Sequence, residues 1–153
     1  MAENRSISIV CFLALCTFAS AFAQTTTPDT DVETRQFAQQ YVTERLAVWQ
    51  QRLKLEAWQI SVLPGRSSEL KANTLGAIRW DKSKKTATIW VLDPADYQLP
   101  FRAMLDDMEL TVVHELVHLE MASLPHGQAS RSTEEHAVNG IADALLALDR
   151  RKQ

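Results

Sequence analysis

Apolar residues recur along this chain in two different periods, and the switches between them mark out its elements. From Asp31 to about Glu56, the residues Phe37, Tyr41, Val42, Leu46, Trp49 and Leu53 return every three or four positions, which is the spacing of one helix face. A long scaffold helix with its aromatic stripe against a core is predicted there. A period of two follows. Trp58, Ile60 and Val62 are interleaved with Gln59, Ser61 and Leu63, a short strand expected to stop at Pro64 and Gly65. Leu75 to Trp80 reads as a second strand and Asp81 to Lys85 as a charged turn. Thr86 to Leu92 reads as a third strand, hairpin-paired with the second and ended by Pro94. The helical period then returns from about Arg102 to Ala122, with Asp106 and Asp107 in the N-terminal half, where carboxylates suit the helix dipole. Pro125, His126 and Gly127 break the chain. A last helix covers Thr133 to Arg150, with Val138, Ile141, Ala142, Leu145 and Leu148 as its buried side. The order describes an α+β fold in one compact domain: a long N-terminal helix, a small three-stranded sheet and two further helices.

The first residues stand outside this pattern. Arg5 precedes an uncharged run from Ser6 to Pro28 whose apolar centre, Ile7 to Phe18, is short for a membrane span. The run contains Ala21, Phe22 and Ala23, an A-x-A site, so residues 1–23 read as a signal peptide cleaved before Gln24. Leu15 stands before Cys16 where a lipoprotein needs a small residue. Residues 24–30, rich in threonine, read as a flexible leader, and residues 31–153 as the folded domain.

Both cysteines, Cys11 and Cys16, leave with the signal peptide, so the mature chain has no thiol and no disulfide framework. This suits an exported protein, periplasmic or secreted, whose stability rests on its core. The net charge of −3 survives cleavage, because Glu3 and Arg5 are lost together. Mild acidity without a basic stripe argues against a nucleic-acid partner. After cleavage no membrane partner is expected, and roughly 130 residues suffice for one domain, expected to be monomeric.

The chemistry concentrates in the penultimate helix. His114, Glu115, Leu116, Val117 and His118 form an HExxH motif. Residues four apart share a helix face, so both imidazoles converge on one point while Glu115 stands beside them. Catalytic Zn2+ takes three protein ligands and keeps a position for water, and a neighbouring carboxylate serves as general base. Val112, Val113, Leu116, Val117 and Leu119 surround the motif, and buried histidines beside a glutamate are costly unless something pairs them. The sequence leaves the third ligand open. Glu135 is favoured, with Glu134 and His126 as alternatives, since a helix packed on the motif helix delivers a carboxylate with a rigid backbone behind it. Ser132 and Glu135 also match a capping box. Asn139 lies four after Glu135, on the same face, where it could orient the glutamate or a histidine ligand. Met121 and Leu124 break the longer HExxHxxGxxH pattern.

These residues carry a family resemblance. His114, Glu115 and His118, followed by a helix opening Glu134, Glu135, His136, Ala137, Val138, Asn139 and continuing to Ala142, Leu145 and Leu146, resemble a gluzincin-type zinc metallopeptidase. The spacing is similar to that of ImmA/IrrE-like peptidases, and the element order resembles the single-domain minigluzincins. The resemblance implies a zincin-like fold and Zn2+ on His114, His118 and Glu135, with Glu115 as base. It also implies a peptide or protein substrate lying along the strand Thr86 to Leu92. It assigns no oxyanion stabiliser; Tyr97, His126 and His136 are the candidates. Two other readings stand beside it: a catalytically inactive zinc-binding interaction module, and a metal-free domain in which the HExxH spacing is coincidental.

Overall fold

The structure is a computed structural model that describes residues 29–70, 74–122 and 131–151. Its elements are α1 (Asp29–Arg52), β1 (Gln59–Gly65), β2 (Gly76–Asp81), β3 (Thr86–Leu92), α2 (Phe101–Met121) and α3 (Arg131–Arg150), with a 3-10 turn at Pro94–Asp96. The signal segment and His126 lie outside the described residues. Two residues assigned to the flexible leader, Asp29 and Thr30, already belong to α1.

The sheet is built around β3. Its alternation buries Ala87, Ile89 and Val91 on one face and leaves Thr86, Thr88 and Trp90 half-buried on the other. It pairs antiparallel with β2, from Gly76 opposite Val91 to Asp81 opposite Thr86, forming the expected hairpin. The turn is held by Asp81 Oδ1, which accepts from the Ser83 backbone (2.9 Å) and hydroxyl (2.6 Å). On its other side β3 pairs parallel with β1, from Gln59 opposite Thr86 to Gly65 opposite Leu92, giving a mixed sheet in the order β1-β3-β2. β1 ends at Gly65, as the Pro64 and Gly65 pair predicts, and Pro64 itself stays within the strand. The reason is position: β1 is an edge strand, and a proline whose absent N–H faces away from the ladder costs no hydrogen bond.

Helices α1 and α2 cover the inner face of this sheet. Ala38, Val42, Leu46 and Trp49 from α1 meet Met104, Leu105, Met108, Val112, Leu116 and Leu119 from α2 and the inward residues of β3. The aromatic stripe of α1 is displaced at one point. Phe37 is 53% exposed and packs at the surface on Phe101, ring centres 5.5 Å apart. The helix also ends at Arg52, short of Glu56. Lys54 takes a left-handed conformation (φ 56°) and the backbone N–H of Leu55 turns back to Gln50 O.

The last helix buries a narrower stripe than its apolar residues imply. Val138, Ala142 and Leu146, four apart, form its buried ridge, while Ile141 and Leu148 are 44% and 55% exposed. A helix packed chiefly on one neighbour, here α2, has no second surface to cover a wide face. Ser132 lies inside α3, past the cap position it was expected to hold.

A buried polar cluster ties the three helices together. Glu109 of α2 accepts from Trp49 Nε1 (2.7 Å), Arg45 Nε (2.6 Å) and the Tyr41 hydroxyl (2.9 Å), all from α1. The same Arg45 reaches Asp149 of α3 at 2.8 Å, and Arg52 reaches the other oxygen of Asp149 at 2.8 Å. Burial, followed by the Glu109 bond, pushes the Tyr41 phenol up to about 12, and the Arg52 bond holds Asp149 below the usual carboxylate range. Among the described residues, no helix is long and apolar enough to cross a membrane.

Candidate metal centre

The α-helical geometry of α2 does what the four-residue spacing requires. Nε2 of His114 and Nε2 of His118 lie 3.1 Å apart, with the rings edge to face. Helix α3 brings Glu135 across to them. Its Oε2 stands 3.4 Å from Nε2 of His114 and 3.5 Å from Nε2 of His118, closing a nearly equilateral triangle of donor atoms. A tetrahedral ion with ligands at about 2.0–2.1 Å separates them by about 3.3 Å. The triangle therefore fits, and two imidazoles with a carboxylate suit a divalent first-row ion. His114, His118 and Glu135 could hold a metal ion.

Around the triangle the remaining groups divide the work of orientation. Glu134 reaches the other ring nitrogen of His118, with Oε1 3.3 Å from Nδ1. An Nδ1–H donated to that carboxylate leaves Nε2 with its lone pair toward the site. Asn139 stands in hydrogen-bonding reach of His114. Burial and then the neighbouring His118 push the His114 imidazole below its ordinary value, against Glu135 and Asn139. A neutral ring is the form that ligates a metal.

Glu115 is 7% exposed, on the side of α2 that faces β2. Burial, with a smaller contribution from the charge of Glu135, pushes its carboxyl up to about 7. Space for it comes from Gly76. A Cβ built there would lie 3.4 Å from Glu115 Oε1, 2.2 Å from Thr111 Cγ2 and 2.9 Å from the Trp90 carbonyl oxygen. Gly76 is thus needed for close approach of β2 to α2. Gly76→Ala is expected to cost about 1–3 kcal/mol, the usual range for overpacking, because the backbone of Trp90 cannot yield. Adding Thr111→Ser removes the colliding methyl and should recover part of the loss. Urea unfolding of the two variants checks this, and an unchanged midpoint for Gly76→Ala would show that the strand moves freely.

The triangle and Glu115 open into a cleft of about 590 Å³, walled on one side by Gly76, Ala77, Ile78 and Trp80 of β2 and on the other by Thr111 and Leu110 of α2. The resemblance had placed Thr86–Leu92 at the cleft. That strand is β3, the centre of the sheet, with both backbone edges paired; the bordering strand is its hairpin partner β2. Of the oxyanion candidates, Tyr97 donates its hydroxyl to Asp107 Oδ2 (2.9 Å), and neither Tyr97 nor His136 lines the cleft. Gly76, Thr111, Trp80 and Asp107 also line the cleft, a placement that the sequence pattern does not single out. Asp107 and Thr111 carried a usable signal, lying seven and three residues before His114 on one helix face. No protein-family model matches this chain, and no curated protein or solved structure is significantly similar to it.

Proposed function

We propose that the protein is an exported zinc peptidase of the gluzincin type, with a zincin-like fold, that hydrolyses peptide bonds. The observation that carries the reading is the donor triangle of His114, His118 and Glu135 set beside a buried Glu115 in one cleft. Zinc held by those three ligands would supply a Lewis acid for the carbonyl and bring the acidity of a water toward neutrality. Glu115, buried beside the triangle, takes a proton from the attacking water and passes it to the departing amine. Glu134 and Asn139 hold the two imidazoles in register. The edge strand β2 gives an extended peptide a backbone to pair with.

A second reading, a zinc-binding interaction module without turnover, draws on the positions of Tyr97 and His136 outside the cleft lining. Metal analysis of the purified protein and cleavage of a mixed peptide library decide between the two. We expect one zinc per chain, cleavage that stops on chelation, and its return with zinc. Stoichiometric zinc without cleavage selects the module; no zinc uptake even when zinc is supplied sinks both readings and leaves the HExxH spacing a coincidence.

A further inference from the structure

Among the described residues, the charged side chains lining the cleft are four carboxylates, Asp107, Glu115, Glu134 and Glu135, with no lysine or arginine. Three of them serve the centre proposed above. Asp107 is left over. It sits on α2 seven residues before His114, two helical turns away and about 10 Å along the axis.

The neighbouring strand shows what surrounds it. Gly76 lies against Thr111 and Glu115, and just past the end of β2 the Lys82 ammonium donates to the carbonyl oxygen of Ala122, so β2 and α2 run side by side in the same direction. Thr74 and Leu75, which precede β2 and also line the cleft, therefore lie toward its Asp107 end. Leu75, half exposed, and Leu110 give that end apolar flanks. Tyr97 holds the carboxylate by donating to Oδ2, and Oδ1 has no partner among the described residues. An aliphatic flank with one acceptor fixed at its end is the environment of a lysine or arginine side chain: a methylene stem against leucine and a cationic tip on a carboxylate. An extended peptide advances about 3.3 Å per residue, so 10 Å corresponds to about three residues.

Resting on the peptidase reading, we propose that Asp107 is a specificity-determining residue that binds a lysine or arginine of the substrate within three residues of the bond to be cut. The cleft then selects cationic peptides.

Calorimetric binding to the zinc-loaded Glu115→Gln protein tests this without requiring turnover. The probes are hexapeptides that differ only in carrying lysine or glutamate at one position. Lysine is expected to bind about tenfold more tightly at one position, as one charge-assisted hydrogen bond allows. Asp107→Asn, whose amide oxygen still accepts from Tyr97, should abolish that preference, and Asp107→Lys should reverse it toward glutamate. Equal binding of both probes, no binding of either, or a lysine preference that survives Asp107→Asn would overturn the proposal. Cleavage by the wild-type protein is read separately: a lysine preference in binding without hydrolysis keeps the subsite and sinks the peptidase reading.

Discussion

Glu115→Gln is expected to abolish hydrolysis and, in the same molecule, to make the metal-free protein more stable above pH 7. Loss of a positioned proton acceptor costs roughly 10²–10⁴ in rate, with zinc binding retained. The stability gain follows from where the carboxyl sits. In the unfolded chain Glu115 loses its proton near the ordinary glutamate value of 4.5; in the folded protein, buried and beside Glu135, it keeps the proton to about 7. A raised carboxyl contributes its stability below the unfolded value and loses it as pH climbs through the folded one. The loss between those limits is on the order of 3 kcal/mol. Glutamine has no charge to bury, so the variant should exceed the wild type by about that amount at pH 8 and match it near pH 4.5. Comparing the two proteins cancels most of the opposing contribution from His114, whose depressed imidazole favours folding at high pH. Urea unfolding of both in chelator across pH 4.5–8 measures the increment, and a constant gap would show that Glu115 is solvated.

The largest purely structural loss is expected at Glu109. Glu109→Ala removes the acceptor for three α1 donors and should cost about 3–5 kcal/mol, as breaking a buried ion pair does. Folded domains are stable by about 5–15 kcal/mol, so the melting temperature should drop by about 10 °C or more. Glu109→Gln should lose less, because an amide oxygen at the Oε1 position still accepts from Trp49 and Arg45, while the amide NH2 at the Oε2 position can donate to the Tyr41 hydroxyl; only the charge opposite Arg45 is gone. The effect should reach the donor triangle. Arg45 joins Glu109 to Asp149, and Asp149 holds the far end of the helix that carries Glu135, so Glu109→Ala should also weaken zinc affinity. Chemical denaturation with a zinc titration checks both. A loss under about 1 kcal/mol would mean that water replaces the carboxylate without penalty.

How far these features were legible depends on how local they are. The two imidazoles and Asn139 follow from helical periods of four, and the β2–β3 hairpin from alternation around a charged turn; such relations are fixed by the backbone of one segment. Strand order is not. That β3 is central and β2 borders the cleft depends on β1 pairing in parallel from the far side, which no local pattern encodes. Gly76 was unreadable for the same reason, since its role is a close approach to Thr111, a residue on another element. The polar cluster had left traces: Arg45 falls on the same face as Tyr41 and Trp49, and Glu109 interrupts an apolar helix. Each alone looks like an exposed charge, and only their meeting explains both. Ile141 and Leu148 failed in the opposite sense, as apolar residues on a helix with too little neighbouring surface to bury them.

The split of the ligand set between two helices has a topological consequence. His118 and Glu135 stand on either side of residues 119–134, so an ion held by both closes a loop over 16 residues. Both of the chain's cysteines lie in its first 16 residues, and none falls among the residues described. Among the described residues an ion therefore offers a cross-link where no disulfide can form; a covalent closure of that size removes about 3 kcal/mol of chain entropy from the unfolded state, and a metal acts in the same sense by binding only the folded form. The far end of α3 has its own fastening in Asp149. Removing the ion should therefore free the Glu135 end first, so that the centre comes apart by fraying one helical turn while the rest of the fold stands.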